Sequence, residues 1–380
     1  MIRRKFLQAL GVSAGLSGLA AVAGGIETSR KLVRNLSFAF PPANQGTTLK
    51  AAAASKGLLY GAATSRKILQ SDPDFASAFV QQCSVMTPEG EMKWKALRPG
   101  IDKFKFDDGD WLVDWAHQNG ILFRGHTLVW GINLPDWVEK QVNRGNAEKV
   151  MVDHIRTVVG HYQGKLHSWD VVNEIIQPKD GRPDGLAKGV WLDNIGPDYV
   201  AKAFRTAKAA DPQPLLVWNE RMLEYDLPYS EDQRNATLGL LKKLKSSGVP
   251  IDALGIQSHL RDEMQPKFNP RKFQDFLRQV AALGLKILIT ELDVREARTP
   301  LGSRDNDLAK IYDTYLNAVL EEKAVISVQT WGLSDKYTWL AKEAPRPDNQ
   351  PVAPMPLDAS FGGKPVFDAI VRAFQRAPGR

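Results

Sequence analysis

Two stretches of this sequence end in carboxylates at positions where chemistry is expected. In Lys286-Ile287-Leu288-Ile289-Thr290-Glu291-Leu292-Asp293, a short apolar run rich in β-branched residues stops at one acid, and a second acid follows two residues later. In Trp169-Asp170-Val171-Val172-Asn173-Glu174, a second run ends in an amide and an acid. Length and composition mark the first run as a buried parallel strand rather than a helix segment. A carboxylate where such a strand stops lies at the rim of a sheet, and in an eight-stranded α/β barrel that rim gathers the catalytic residues. The competing structural reading is an acid that caps the next helix or pairs with Arg295. Two carboxylates flanking a cleft are the minimum machinery for breaking a glycosidic bond. One is protonated to assist the leaving group, and the other is ionised to attack or to activate water. Mutual repulsion and local hydrogen bonding separate the two pKa values.

The elements that would position these acids can be counted along the chain. Candidate strands are Leu58 to Ala62, Ser84 to Thr87, Leu122 to Gly125, His167 to Val172, Pro214 to Trp218, Ala253 to Gln257, Ile287 to Thr290 and Val325 to Thr330. Helical patterns lie between them, among them Tyr199 to Ala210, Ser230 to Ser247, Arg271 to Leu283 and Asn306 to Glu321. Eight strands in regular βα alternation predict an α/β fold, a closed TIM (β/α)8 barrel. An open doubly wound sheet would carry a glycine-rich phosphate loop after its first strand, and Gly61-Ala62-Ala63-Thr64-Ser65 is not one. On this count Glu174 and Glu291 stand three strands apart and face each other across the barrel mouth.

Seven successive strand ends finish in amides, acids, histidine or tryptophan, the composition of a cleft for a polyhydroxylated ligand. Asn173 offers an amide to a sugar hydroxyl beside the bond to be broken, and His259 with Asp293 forms a polar pair that keeps Glu291 ionised. Trp331 and Trp339 offer flat faces to sugar rings, while Lys93 and His126 offer donors. Trp130 and Gln257 join the substrate contacts, and Asn219 the supporting residues. Trp169 and Trp218 read as core rather than platform, because strand tryptophans usually pack. Lys93 has a second reading as an ion-pair partner of Glu91; His117, His154, His161 and His167 read as surface or satisfied structural histidines. His126 and His259 lack paired-ligand spacing, so no metal or other cofactor is implied. There is no G-x-S-x-G elbow for a serine nucleophile.

Composition narrows the class further. The formal net charge of +7 includes Arg3, Arg4 and Lys5; without them 47 basic residues face 43 acidic ones, a net of +4 with no basic run, which gives nucleic-acid binding no support. Ten tryptophans exceed what a core needs and suit a sugar cleft. The lone Cys83 can form no internal disulfide. Arg3-Arg4-Lys5-Phe6-Leu7, a Gly- and Ala-rich stretch and Ala21-Val22-Ala23 read as a twin-arginine leader over residues 1–23. The stretch is too short and too interrupted by Gly11, Gly15 and Gly18 to span a membrane, so export to the periplasm or beyond is expected, with no membrane association once the leader is removed. Residues 24–48 read as a linker or tail and 49–376 as one catalytic barrel; a monomer is the default expectation.

Residues 49 to about 372 resemble glycoside hydrolase family 10, the retaining endo-β-1,4-xylanases. The matching pieces are Leu49 to Gly57, Glu91-Met92-Lys93-Trp94, His126 to Trp130, Trp169 to Glu174, Gly255 to His259, Ile289 to Asp293 and Trp331 to Asp335. The resemblance implies that Glu174 is the acid/base, that Glu291 is the nucleophile of a covalent glycosyl-enzyme intermediate, and that the substrate is xylan or a xylo-oligosaccharide. A related β-glycanase acting on β-glucan or short oligosaccharides, and a silent carbohydrate-binding protein, are the alternatives. The chain departs from the family pattern at Gly90 (usually Asn), at Gly131 and Asn133 (usually His and Gln), and in Asn219-Glu220-Arg221-Met222 (usually Asn-Asp-Tyr-Asn). The first change removes a polar contact to the second sugar on the non-reducing side. The last removes an aromatic and an amide from the acceptor side and adds a cation suited to acidic decorations such as glucuronosyl groups.

Overall fold

The apolar runs become strands, and each is followed by an amphipathic helix that covers it. In this computed structural model, which describes residues 48–380 apart from Thr299, the strands are β1 (Leu59–Thr64), β2 (Val85–Pro88), β3 (Leu122–Gly125), β4 (Ser168–Asn173), β5 (Leu215–Glu220), β6 (Ala253–Ile256), β7 (Lys286–Arg295) and β8 (Val325–Thr330). Each pairs in parallel with the next, and β8 pairs with β1, so the sheet closes and keeps no free edge. This is the closed TIM barrel expected from the sequence. The leader assigned to residues 1–23 and the tail assigned to 24–48, save Thr48, lie outside the described residues.

Local chemistry explains the surrounding helices. Thr48 caps Leu49–Ala54 by accepting from the Ala51 N–H, and Gly57, at φ +74°, then turns the chain into β1. Ala147–His161 buries Val150, Met151, Ile155, Val158 and Val159 along one stripe. Pro365–Arg376 opens on a proline, which loses nothing in a first helical turn, and buries Val366, Ala369, Ile370, Ala373 and Phe374.

Several strands run further than the sequence suggested, β1 to Thr64, β2 to Pro88 and β4 to Asn173, and two of them run on through acids. The run read as stopping at Trp218 continues to Glu220, and the one read as stopping at Thr290 continues to Arg295. An unpaired acid inside a buried strand is costly, which is why the sequence places the boundary at the acid. Here the acids are hydrogen-bonded, and the end of β7 is held by the short strand His259–Arg261, in the register His259↔Asp293. Trp169 and Trp218 are fully buried, as expected of core tryptophans, and Trp94 joins them. His154 departs from expectation: it is neither at the surface nor satisfied. It stacks on Trp94 with ring centroids 3.7 Å apart, and neither ring nitrogen has a hydrogen-bond partner. Burial, and secondarily the charge of Arg98, push its pKa well below the usual value and keep it neutral.

Gly125, the last residue of β3, lies against Trp169 so closely that a methyl group there would come within 2.2 Å of the indole. Gly125→Ala is therefore expected to destabilise the barrel by about 1–3 kcal/mol or more through overpacking, measured as a lower denaturation midpoint. An unchanged midpoint would show that β3 and β4 can separate without cost.

Candidate active site

The C-terminal ends of the strands open into a cleft of about 560 Å³, within the usual size for a small-molecule site. Its lining brings together Lys93, His126, Trp130, Asn173, Glu174, Gln257, His259, Glu291, Asp293, Trp331 and Trp339, which are all the predicted site residues except Asn219. Asn219 lies directly beneath, fully buried.

Strand register explains the convergence. Asn173 on β4 lies beside Asn219 on β5, and the Glu174 and Glu291 amides donate to the Asn219 and Gln257 carbonyls at 2.9 Å each. Asn219 Nδ2 donates to Asn173 Oδ1 (2.9 Å) and to Glu291 Oε1 (2.7 Å), while its Oδ1 accepts from Thr290 Oγ1 (2.7 Å). Gln257 Nε2 donates to Asn173 Oδ1 (3.3 Å) and Glu174 Oε1 (3.0 Å). Three amides thus link the two carboxylates across the barrel. Asn173 uses only its oxygen in this chain, and its Nδ2 has no protein partner among the described residues.

The two acids occupy different electrostatic settings. Glu291 Oε2 lies 3.2 Å from His259 Nε2, and His259 Nδ1 lies 2.9 Å from Asp293 Oδ1. Trp339 Nε1 holds the other Asp293 oxygen at 2.7 Å. Burial opposes a charged imidazole, but the charge and hydrogen bond of Asp293, followed by Glu291, hold the His259 pKa well above its ordinary value. Burial likewise works against ionisation of Glu291; the His259 hydrogen bond and the charges of His126, His259 and Lys93 outweigh it and bring the pKa down to about 2. Glu174 stands at φ +54° just beyond β4, with Gln257 on one oxygen and Arg221 Nη1 3.2 Å from the other. That second oxygen, Oε2, is buried and makes no aligned hydrogen bond.

Lys93 is not paired with Glu91, whose carboxylate accepts from the backbone amides of Arg66 and Gly90. Its ammonium sits 5.3 Å from the Trp130 ring centre and 5.6 Å from that of Trp331. Burial lowers its pKa, against the pull of Glu291, Glu89 and Glu174. His126 is anchored through Nδ1 to Asp170 Oδ2 at 2.8 Å, so that its position is set by a group outside the cleft. Trp331, largely buried, and the partly exposed Trp339 both line the cleft.

Two residues to which the sequence assigned no role support this arrangement. Asp170 is buried within β4; besides holding His126 it pairs with the buried Arg124. Glu220 accepts from the amides of Ile175 (3.0 Å) and Ile176 (3.1 Å), the residues immediately after Glu174, and from Trp218 Nε1 (3.1 Å), Arg221 N (3.0 Å) and Gln233 Nε2 (3.3 Å). Burial raises its pKa to about 7 despite these donors. The available signal was positional: both are acids in or ending a run that is otherwise apolar. Arg221 was read as a cation on the acceptor side, and its contact with Glu174 had no sequence signal.

The comparisons with known proteins agree with this geometry. The family model "Glycosyl hydrolase family 10" matches residues 48–373, and the chain belongs to that family. It is 35% identical over 323 residues to endo-1,4-beta-xylanase 3 of Hypocrea jecorina, covering 84% of each chain. It is 32% identical over 332 residues to endo-1,4-beta-xylanase 1 of Humicola insolens, covering 84% of this chain and 72% of that one. Among solved structures, xylanase 10B of Thermotoga petrophila RKU-1 in complex with xylobiose superposes with TM-score 0.79 at 30% identity, over 88% of this chain and 99% of that one.

If His259 holds Glu291 ionised, removing it takes away the first of the contributions that lower the pKa, and the Glu291 pKa moves upward. The acid limb of kcat/KM, which reports the free enzyme, is therefore expected to shift to higher pH in His259→Ala. A pH–rate profile with an unmoved acid limb would overturn this account.

Proposed function

We propose that this chain hydrolyses internal β-1,4 linkages of xylan with retention, with Glu174 as acid/base and Glu291 as nucleophile. The observation that carries the reading is the pairing of a carboxylate held ionised by His259 with a second one linked to it through Gln257, Asn173 and Asn219. In the first displacement Glu174 gives its proton to the glycosidic oxygen while a Glu291 oxygen bonds to the anomeric carbon and the leaving sugar departs. In the second, Glu174 takes a proton from water, which displaces Glu291 and restores both groups. Such chemistry places the carboxyl groups about 5–5.5 Å apart. Lys93, His126 and the free Nδ2 of Asn173 are set to bond the hydroxyls of the glycone sugar, with Trp331 and Trp339 beside its faces. We expect reducing sugar to be released from xylan by the native protein and lost in Glu291→Ala, with the β-anomer appearing first by NMR. Release of the α-anomer first would overturn the double displacement.

The leader supports a further part of the reading, that the protein is exported folded and acts in the periplasm or outside the cell. Arg3-Arg4, the weakly apolar stretch and Ala21-Val22-Ala23 support it, together with a chain that has a single cysteine. Replacing Arg3 and Arg4 by lysine is expected to leave the protein in the cytoplasm with its leader attached, measured by fractionation and N-terminal sequencing. Undiminished export would overturn this assignment.

A further inference from the structure

The loop after β5 places Arg221 against the acid/base. Its Nη1 lies 3.2 Å from Glu174 Oε2, yet that oxygen makes no aligned hydrogen bond, so the pair is a charge contact rather than a fork. The guanidinium side chain is 32% exposed, lines the cleft, and has no other side-chain partner among the described residues. Most of its donors are therefore available to a ligand. Since Glu174 Oε1 is occupied by Gln257, Oε2 is the oxygen left to carry the proton to the glycosidic oxygen. A group touching Oε2 is within reach of the leaving sugar.

Neighbouring charges do not compete for Arg221. Arg261 is paired with Glu263 at 2.6 Å, Glu343 with Lys342 at 3.2 Å, and the buried Glu224 accepts from the Ser258 amide at 3.1 Å. Glu220 binds the Arg221 backbone N–H, not its guanidinium. Next in the chain, Met222 is 48% exposed at φ +60° and offers no charge.

Resting on the xylanase reading, we propose that Arg221 selects xylan chains carrying a uronic acid substituent next to the cleaved bond, whose carboxylate takes the guanidinium away from Glu174. A planar guanidinium meets a free carboxylate with two parallel hydrogen bonds, which it does not achieve with Glu174 in its present geometry. On a neutral chain Arg221 stays beside Glu174, with its remaining donors unmet by side chains among the described residues. An acidic chain adds a two-bond contact that a neutral one cannot make, so its binding beside the cleaved bond gains.

The test compares kcat/KM on two xylo-oligosaccharides of equal backbone length, one neutral and one bearing a single glucuronosyl group, for the native protein, Arg221→Met and Arg221→Lys. A charge-assisted contact corresponds to about 10- to 100-fold preference for the acidic substrate. We expect that preference in the native protein, a fall to near unity in Arg221→Met, and an intermediate ratio in Arg221→Lys. High salt should narrow the native preference. Equal native rates on both substrates, or a preference unchanged in Arg221→Met, would overturn the proposal while leaving the activity reading standing. Turnover of neither substrate by the native protein overturns the activity reading and this proposal with it.

Discussion

The site depends on one shared amide. Asn219 Nδ2 donates to Asn173 on β4 and to Glu291 on β7, while Thr290 fixes which way the amide faces by donating to its oxygen. Barrel closure brings strands three places apart to opposite sides of one mouth, but closure alone does not hold two acidic side chains at a fixed separation. The amide does, because a buried group with both N–H donors used has no alternative partner in a water-poor interior. Replace it with a side chain lacking those donors and Glu291 Oε1 loses a buried partner, at the cost that attends any buried charged acceptor.

The electrostatic asymmetry of the two acids follows from what surrounds each. Glu291 faces an imidazole that is itself kept charged by Asp293, which is in turn held by Trp339. A chain of alternating charge of this kind stabilises the ionised form despite burial. Glu174 receives one neutral donor on one oxygen and a loosely placed cation near the other. The chain therefore holds Glu291 ionised on one side of the cleft and gives the Glu174 carboxylate a single aligned partner among the described residues, Gln257, on the other.

Much of this was legible in the sequence, and the limits have physical causes. Strand position could be read because parallel barrel strands are buried on both faces and so appear as unbroken aliphatic runs. Tyr199–Ala210 was bounded correctly, and the predicted cleft residues do meet. Strand ends were misjudged where acids are satisfied by partners distant in sequence, as at Glu220 and through Glu291 to Arg295. His154 was misjudged for a different reason. It falls on the stripe of Val150, Met151, Ile155 and Val158, so its periodicity pointed inward while its chemistry pointed outward. The contact between Arg221 and Glu174 joins two loops and left no trace in either local pattern.

β7 continues for four residues beyond Glu291, whereas Arg221 and Met222 stand on the connection that follows β5. Glu291 is thus built into paired backbone, whereas Arg221 and Met222 line the same cleft from outside any strand. Divergence in such a scaffold is cheap at the periphery and prohibitive at the centre. New diets can arise by rewriting the connection after β5, while the bond-breaking apparatus is inherited unaltered.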